Sequence, residues 1–230
     1  MFKTIAQYHD FIIVDKAAGI NFHDEGDIGS GLFSQVKKQL VKINATAELY
    51  PVHRLDKMTS GLVIFAKNLK AAQQFGQLFE DHHIEKYYLA ISDKKPNKKQ
   101  GLIKGDMSKS RRGMYKLLRT LANPAITQFF SYTIGNRQRL YVLKQHSGKT
   151  HQLRVALTSI GSPIIGDPLY YSASKTDRGY LHAYALKFDY QGETFEFISL
   201  PDQGEHYLTQ IVKKQLAAIK KPWQLNWPRL

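Results

Sequence analysis

Chemistry is first suggested by one acidic residue, Asp56, which lies between two cations, Arg54 and Lys57. The polar loop around it leads into residues 62–66, an apolar run that predicts a buried strand, and Thr59-Ser60-Gly61 before that run is typical of a turn. Asp56 then has two interpretations. It can be a turn residue that bonds nearby backbone, with both cations facing solvent. It can also be a carboxylate that the cations keep ionised, and therefore a nucleophile or a base.

The sequence motif formed by residues 53–67 distinguishes these two interpretations of Asp56. They read H-R-L-D-K-M-T-S-G-L-V-I-F-A-K. This stretch resembles the signature of the RluA-type family of RNA pseudouridine synthases, H-R-L-D-x-x-T-S-G-L-hydrophobic-hydrophobic-x-A-K. Nearly every fixed position matches, and a motif of this length is much more specific than a pattern of three residues. The resemblance implies that Asp56 is the catalytic residue.

Two later segments resemble the same family. Residues 146–155 are similar to G-R/K-T-H-Q-hydrophobic-R-V-H, and residues 160–170 to I-G-x-P-hydrophobic-hydrophobic-G-D-P-x-Y. The resemblance implies that Arg154 pairs with Asp56. A guanidinium suits that role because it is always charged and presents planar, paired donors. The alternative for Arg154 is an ordinary surface position on a helix that starts near Lys149 or Thr150.

A tyrosine is expected beside these two residues. The segment 85–91 predicts a strand, in which Lys86, Tyr88 and Ala90 align with the family's K-x-Y-x-A. The resemblance makes Tyr88 the active-site tyrosine. Tyr87 is equally prone to form strand, so Tyr88 can also be ordinary packing. Adjacent strand residues face opposite sides, and only one of the two tyrosines can therefore point at Asp56.

Eight further residues are expected to contact RNA, since they flank Asp56, precede Arg154, share the Tyr88 strand or lie in a basic segment: Arg54, Lys57, Lys86, Lys149, His151, Gln152, Arg111 and Arg112. His151 and Gln152 alone are poor indications of a metal site, because no second ligand follows at ligand spacing. The reaction that the resemblance implies only rearranges a nucleoside. We therefore expect no metal and no cofactor.

The composition fits a protein that meets a polyanion. The 230 residues include 33 Lys and Arg against 19 Asp and Glu, which gives a net charge of +14 and a pI of about 9.7. Such a balance is typical of nucleic-acid binding, although a merely soluble basic surface has the same charge. The chain has no cysteine, no apolar signal core and no stretch long enough to span a bilayer. We expect a cytoplasmic monomer that binds RNA, not DNA or membrane.

Several elements must position these residues. Amphipathic helices are predicted over residues 32–43, after an N-cap at Asn68, and around residues 207–219. Residues 126–134 and 140–143 flank Gly135-Asn136-Arg137 and predict an antiparallel hairpin. Residues 93–114 are rich in lysine and arginine and show no periodicity. We interpret them as a long mobile basic loop or a ragged hairpin that grips RNA, although a solvated insertion is the alternative.

The resemblance covers about residues 11–200 and leaves residues 201–230 as a tail. It implies one α+β catalytic domain over residues 1–230, with a bent, largely antiparallel sheet flanked by helices and a cleft across its middle. We expect no S4-type RNA-binding module before Phe11. Two departures from the family pattern, Ala17 in place of Pro and Ala156 in place of His, touch no catalytic role.

The implied activity is the isomerisation of uridine to pseudouridine in ribosomal or transfer RNA. A target inside folded RNA must be flipped out, at a cost that binding to the basic surface has to offset. An alternative is a basic RNA-binding protein without catalysis, which intact Asp56, Tyr88 and Arg154 argue against. A metal-dependent nuclease using Asp15 and Asp56 ranks lower, because the sequence shows no carboxylate cluster.

Overall fold

The computed structural model describes residues 2–230, and the chain forms two compact units that meet in sequence between Ile84 and Glu85. Among these residues there are twelve strands and four α-helices. The strand pairs within each unit are antiparallel. The predicted α+β fold class with a largely antiparallel sheet is confirmed.

The first unit combines four strands with two helices: β1 (Phe2–Gln7), β2 (Phe11–Lys16), α1 (Leu32–Ile43), β3 (Tyr50–Pro51), β4 (Ser60–Ala66) and α2 (Leu69–Glu80). The strands follow the order β1-β2-β4, and β3 also pairs with β4. All seven residues of β4 are buried, as expected for a strand enclosed on both faces. This strand fixes the end of the loop that carries Asp56.

The start of β4 differs from the prediction. Ser60 and Gly61 belong to the strand, and Gly61 lies opposite Lys16 of β2. The expectation that Thr59-Ser60-Gly61 forms a turn outside the strand is therefore wrong for its last two residues. Gly61 has a φ of 108°, a value that glycine adopts without steric cost. The chain can therefore leave the loop and enter strand pairing within one residue.

The helices of the first unit follow their predicted patterns. In α1 the buried residues are Leu32, Val36 and Leu40, one helical face. At the start of α2, the side chain of Asn68 accepts a hydrogen bond from the amide of Ala71 at 2.8 Å. This is the N-cap that the sequence predicts, and it satisfies one of the amides that a helix start leaves unpaired.

The second unit holds the remaining elements: β5 (Glu85–Ser92), β6 (Gln100–Gly105), β7 (Met107–Lys109), β8 (Tyr115–Leu117), β9 (Ala125–Thr133), β10 (Arg139–Gln145), α3 (Gln152–Ser159), β11 (Leu181–Tyr190), β12 (Glu193–Ile198) and α4 (Gln210–Ala218). Its strands are ordered β12-β11-β5-β10-β9-β6, while β7 and β8 form a separate pair. The predicted hairpin is β9–β10, and the predicted tail helix contains α4. None of the helices among residues 2–230 has the length and apolar composition needed to cross a bilayer.

The basic segment 93–114 is more ordered than predicted. Residues 100–105 form β6, which pairs with β9, and residues 107–117 form a small hairpin from β7 and β8. The loop interpretation is wrong for these strands, and the hairpin alternative describes the second part. The strand pattern is hidden in the sequence because β6 carries two glycines and a lysine, a composition that edge strands accept.

Candidate active site

The Asp56 loop, residues 52–59, buries two apolar side chains and leaves its charged side chains more exposed. Asp56 is half-buried, whereas its neighbours Arg54 and Lys57 are exposed. Leu55 and Met58 are buried. The amide of Thr59 donates to the carbonyl of Asp56 at 3.0 Å and closes a turn. The loop is therefore held by its apolar residues while the carboxylate and two cations remain accessible to solvent to different degrees.

A histidine fixes the beginning of this loop. His53 Nε2 accepts a hydrogen bond from the amide of Ile64 in β4 at 2.8 Å. Its ring lies 4.8 Å from that of Phe79 on α2, measured between centroids. A ring nitrogen that accepts must carry no proton, so a neutral His53 has its proton on Nδ1. The histidine of the H-R-L-D motif therefore ties the loop to the strand that follows it.

A buried lysine fixes the other side of the loop. Lys16 has no exposed surface, and its ammonium donates to three carbonyl oxygens, those of Ala17 at 3.1 Å, Ile20 at 2.7 Å and Lys57 at 3.2 Å. A buried ammonium is tolerated only when its donors are used in this way. Sequence reasoning assigned no role to Lys16, although it stands in the matched segment Asp15-Lys16-Ala17-Ala18-Gly19.

In the second unit, the two neighbouring tyrosines of β5 have different surroundings. Tyr87 is fully buried, donates its hydroxyl to Glu85, and lies near the rings of Trp223 and Trp227, at centroid distances of 6.2 and 5.8 Å. It therefore faces the C-terminal tail. Tyr88, 7% exposed, points to the opposite side of β5 because strand residues alternate. Tyr88 therefore lies on the face of β5 opposite to the one that Trp223 and Trp227 cover.

Lys86 lies on the same side of β5 as Tyr88, two residues away. The side chain is buried, with 6% of its surface exposed. Burial lowers the pKa of this ammonium from its usual value of 10.5 to about 8. An amine with such a pKa changes charge near neutral pH far more readily than a surface lysine.

Arg154 on α3 forms a buried ion pair with Asp167. Its Nε donates to Oδ2 at 2.7 Å and its Nη2 donates to Oδ1 at 2.8 Å, which gives the bidentate geometry. The same carboxylate accepts from the amides of Leu169 and Tyr170 at 2.9 and 3.0 Å. Arg154 is therefore no surface arginine. Sequence reasoning quoted Asp167 within a matched motif without assigning it a role.

Tyr170 links this ion pair to its surroundings. The Arg154 guanidinium lies 5.0 Å from the centre of the Tyr170 ring, within cation–π range. The Tyr170 hydroxyl accepts from the amide of Tyr115 in β8 at 2.8 Å and lies 3.1 Å from Nδ1 of His151. His151 has a φ of 58° and immediately precedes α3. Tyr170 is, after Lys16 and Asp167, the third site residue to which sequence reasoning assigned no role.

Gln152 is used to build the loop before α3. Its amide oxygen accepts from the Ser147 hydroxyl at 2.8 Å and the Lys149 amide at 3.1 Å. Its amide nitrogen donates to the Ile126 carbonyl and the Thr127 hydroxyl, both at 3.0 Å. The side chain is buried, and four hydrogen bonds match all that an amide group can make.

The remaining predicted RNA ligands lie in the second unit near the surface. Arg111 and Arg112 are exposed at the turn between β7 and β8, where Arg112 has a φ of 55°. The ammonium of Lys149 donates to the side chain of Asn123 at 2.8 Å. Together with His151, these cations lie on or beside the elements that hold Arg154. No group of three or more His, Asp or Glu placed to hold a metal ion occurs among residues 2–230.

The structure thus brings Lys86 and Tyr88 onto one face of β5, and it brings His151, Arg154, Asp167 and Tyr170 into one cluster. Asp56, Arg54 and Lys57 share the loop of the first unit. The pairing of Asp56 with Arg154 stays a prediction.

Comparison with known proteins identifies relatives over most of the chain. A sequence model described as RNA pseudouridylate synthase matches residues 10–159. A Haemophilus influenzae protein described as an uncharacterized RNA pseudouridine synthase is 47% identical over 223 residues, which cover 96% of this chain and 97% of the relative. A Borreliella burgdorferi protein, ribosomal large subunit pseudouridine synthase D, is 32% identical over 202 residues, which cover 82% of this chain and 61% of the relative.

The chain therefore spans nearly all of one relative and about three fifths of the other. Among solved structures, human RNA pseudouridylate synthase domain containing 1 superposes with a TM-score of 0.73. The match covers 100% of this chain and 97% of the human chain, at 22% sequence identity. At this identity the likeness describes the fold alone.

Proposed function

Since the chain belongs to the RNA pseudouridylate synthase family, whose members are isomerases that act on RNA, we propose that it converts uridines in structured RNA to pseudouridine with Asp56 as the catalytic carboxylate. The observation that carries this proposal is the construction of the Asp56 loop. Lys16 and His53 hold its backbone from two sides, while Asp56 is left half-buried between two exposed cations. Such an arrangement fixes a carboxylate where a substrate can reach it.

The reaction rearranges one nucleoside. The bond between N1 of uracil and C1′ of ribose breaks, the base turns, and a bond forms between C5 and C1′, after which the proton on C5 is transferred to solvent and N1 gains one. Asp56 can attack the ribose carbon, attack the base or remove a ribose proton. Each of these roles requires the ionised carboxylate.

Arg154 is proposed as the partner that fixes Asp56. A guanidinium has five N–H donors, and the bidentate pair with Asp167 uses two of them. The same group can therefore bond a second carboxylate while Asp167 keeps its plane fixed. Tyr88 is proposed to lie against the flipped uracil, because it points to the face of β5 opposite to the one that Trp223 and Trp227 cover.

RNA contacts are proposed for the exposed cations. Arg54 and Lys57 would bind phosphates beside the target nucleotide, and Arg111 and Arg112 would bind them at the tip of the β7–β8 hairpin. Lys149 and His151 would contribute at the start of α3. For Gln152 and Lys86, both buried, we propose positioning roles rather than direct contacts with phosphate.

The substrate is proposed to be ribosomal RNA, with transfer RNA as the second candidate. Support comes from relatives described as ribosomal large subunit pseudouridine synthase D, from Borreliella burgdorferi and from Zymomonas mobilis. We further propose that the protein acts as a cytoplasmic monomer, as expected for an enzyme that meets ribosome precursors.

The test is the conversion of uridine by Asp56→Asn. Total RNA from cells that lack the protein is incubated with the purified enzyme in the presence of EDTA, and pseudouridine is mapped by sequencing. We expect the wild type and the control Asp27→Asn, an exposed loop residue, to form product. We expect Asp56→Asn to bind RNA without forming product.

Formation of pseudouridine by Asp56→Asn would show that Asp56 is not the catalytic carboxylate. Retention of RNA by the wild type without product would indicate an RNA-binding protein, and cleavage that EDTA prevents would indicate a nuclease.

A further inference from the structure

The positive charge of this protein is concentrated in one segment. Residues 94–166 contain fifteen lysines and arginines and a single acidic residue, Asp106. The excess of fourteen equals the net charge of the whole chain. The β7–β8 hairpin lies within this segment, so the way in which it is attached to the rest of the unit decides where RNA phosphates are held.

The base of the hairpin is tied by Asp106. Its carboxylate accepts from the amides of Ala122 and Asn123 at 3.0 and 2.7 Å. Its backbone amide donates to the Thr120 carbonyl at 2.8 Å, and its carbonyl accepts from the Leu118 amide at 2.7 Å. Asp106, the single acidic residue of the segment, thus joins the chain just before β7 to the chain just after β8.

The returning strand of the hairpin is tied at a second point, to Tyr170. The amide of Tyr115 donates to the Tyr170 hydroxyl at 2.8 Å, and the Tyr115 ring meets the ring of His151 edge-on at 5.6 Å. The Tyr170 ring also meets the His151 ring edge-on, at 5.7 Å. Three side chains from β8, the start of α3 and the loop after Asp167 therefore pack together.

Tyr170 also contacts the ion pair. Its ring faces the Arg154 guanidinium, and its amide donates to the Asp167 carboxylate. One residue therefore bonds the basic hairpin through its hydroxyl and supports the arginine through its ring.

We propose that Tyr170 is a positioning residue that couples the RNA-holding hairpin to Arg154. RNA bound at Arg111 and Arg112 is held at a fixed distance from the arginine because the Tyr170 hydroxyl seats the returning strand. The proposal rests on the proposed function, since it assumes that the hairpin binds RNA. The hydroxyl acts on RNA binding, whereas the ring acts on the arginine and therefore on turnover.

The test separates these two parts of the side chain. Tyr170→Phe removes the hydroxyl and keeps the ring, and we expect KM for total RNA from cells lacking the protein to rise about fivefold with kcat unchanged, since one hydrogen bond is lost. Tyr170→Ala removes the ring as well and should also lower kcat. Tyr50→Phe, which removes an exposed hydroxyl bonded to Glu48, is the matched control and should change neither.

A double-mutant cycle decides whether the hydroxyl acts through the hairpin. Arg111→Ala/Arg112→Ala should raise KM roughly tenfold through lost phosphate contacts. In that background, Tyr170→Phe should add nothing, and in the otherwise unchanged protein it should speed hydrogen exchange at the Tyr115 amide. The same rise in KM in both backgrounds, or a lower melting temperature with unchanged KM and kcat, would overturn the coupling.

The failure of this proposal can be distinguished from failure of the proposed function. An unchanged KM in Arg111→Ala/Arg112→Ala would remove the hairpin from RNA binding and the coupling with it. Formation of pseudouridine by that variant, and its loss in Asp56→Asn, would nevertheless leave the enzymatic proposal in place.

Discussion

The guanidinium of Arg154 and the carboxylate of Asp167 face each other in a bidentate pair, with Nε–Oδ2 and Nη2–Oδ1 distances of 2.7 and 2.8 Å. Both side chains are buried, at 4% and 0% exposure. A lone buried charge costs far more than a surface charge, so each residue depends on the other. The pair sets the orientation of the arginine before any substrate is bound.

Replacing Asp167 with Asn should therefore destabilise the protein strongly. The change breaks the buried ion pair between Arg154 and residue 167, and breaking such a pair from one side typically costs about 3–5 kcal/mol of unfolding free energy. Urea unfolding followed by circular dichroism measures the effect, with Asp27→Asn as the exposed control. A loss below about 1 kcal/mol would show that water or another group compensates the arginine.

Replacing Arg154 with Lys keeps the charge but loses the planar pair of donors. We expect kcat to fall about a hundredfold, because a point charge cannot hold a carboxylate in one orientation and small misplacements of reacting groups carry penalties of this size. The measurement is pseudouridine formation at saturating RNA. Near-normal turnover would contradict the proposed pairing with Asp56. Arg137→Lys, in the β9–β10 turn, serves as the control.

Lys86 predicts a specific pH dependence of stability. Its pKa is about 8 in the folded protein, against 10.5 for an ordinary lysine. Between these two values the unfolded chain holds a proton that the folded protein has released, so the free energy of unfolding rises with pH by on the order of 3 kcal/mol. Below about pH 8 Lys86 is protonated in both the folded and the unfolded protein, so it causes no change of stability with pH.

Lys86→Met should abolish this rise, because it removes the titrating group and keeps the size of the side chain. Urea unfolding of both proteins from pH 7 to 10 gives the difference directly. Lys38→Met, an exposed position on α1, should follow the wild type. Parallel curves for wild type and Lys86→Met would show that Lys86 keeps an ordinary pKa.

The C-terminal tail should influence turnover through β5. Trp227 lies 5.8 Å from the Tyr87 ring and 5.0 Å from that of Phe130, and its indole N–H donates to the Pro222 carbonyl at 2.8 Å. Trp227→Ala should cost about 3 kcal/mol of stability because it removes a large aromatic side chain from this packing. It should also lower kcat severalfold, since the loosened Tyr87 directly precedes Tyr88 on β5. Leu230→Ala, 70% exposed, is the control. Lost stability with unchanged kcat would limit the tail to a structural role.

Sequence reasoning identified the elements whose patterns are local. The Asn68 cap, the β9–β10 hairpin and the apolar run of β4 each follow from residues that are neighbours in the chain. The fold class and family followed from motif wording. These features needed no information about which distant residues meet.

The contact between Arg154 and Asp167 could not be predicted from neighbouring residues, because it depends on how a distant turn folds. Asp167 lies thirteen residues away in a loop that depends on Gly166, whose φ is 71° and whose position leaves no space for a Cβ beside the carbonyl of Arg178. The pattern of apolar and polar residues in the sequence does not reveal a turn of this kind. Lys16 was missed for another reason: a lysine that is completely buried is rare, and its acceptors are carbonyls, which any residue supplies. The strands β6 and β7 were hidden by glycine and lysine.

The bonds of Lys16 have a consequence for how this protein can change. Its ammonium donates to main-chain oxygens of Ala17, Ile20 and Lys57, and these three bonds do not depend on which side chains those positions carry. Residue 57 can therefore be varied to test its proposed contact with RNA, while the backbone bond that holds the loop beside Asp56 is kept.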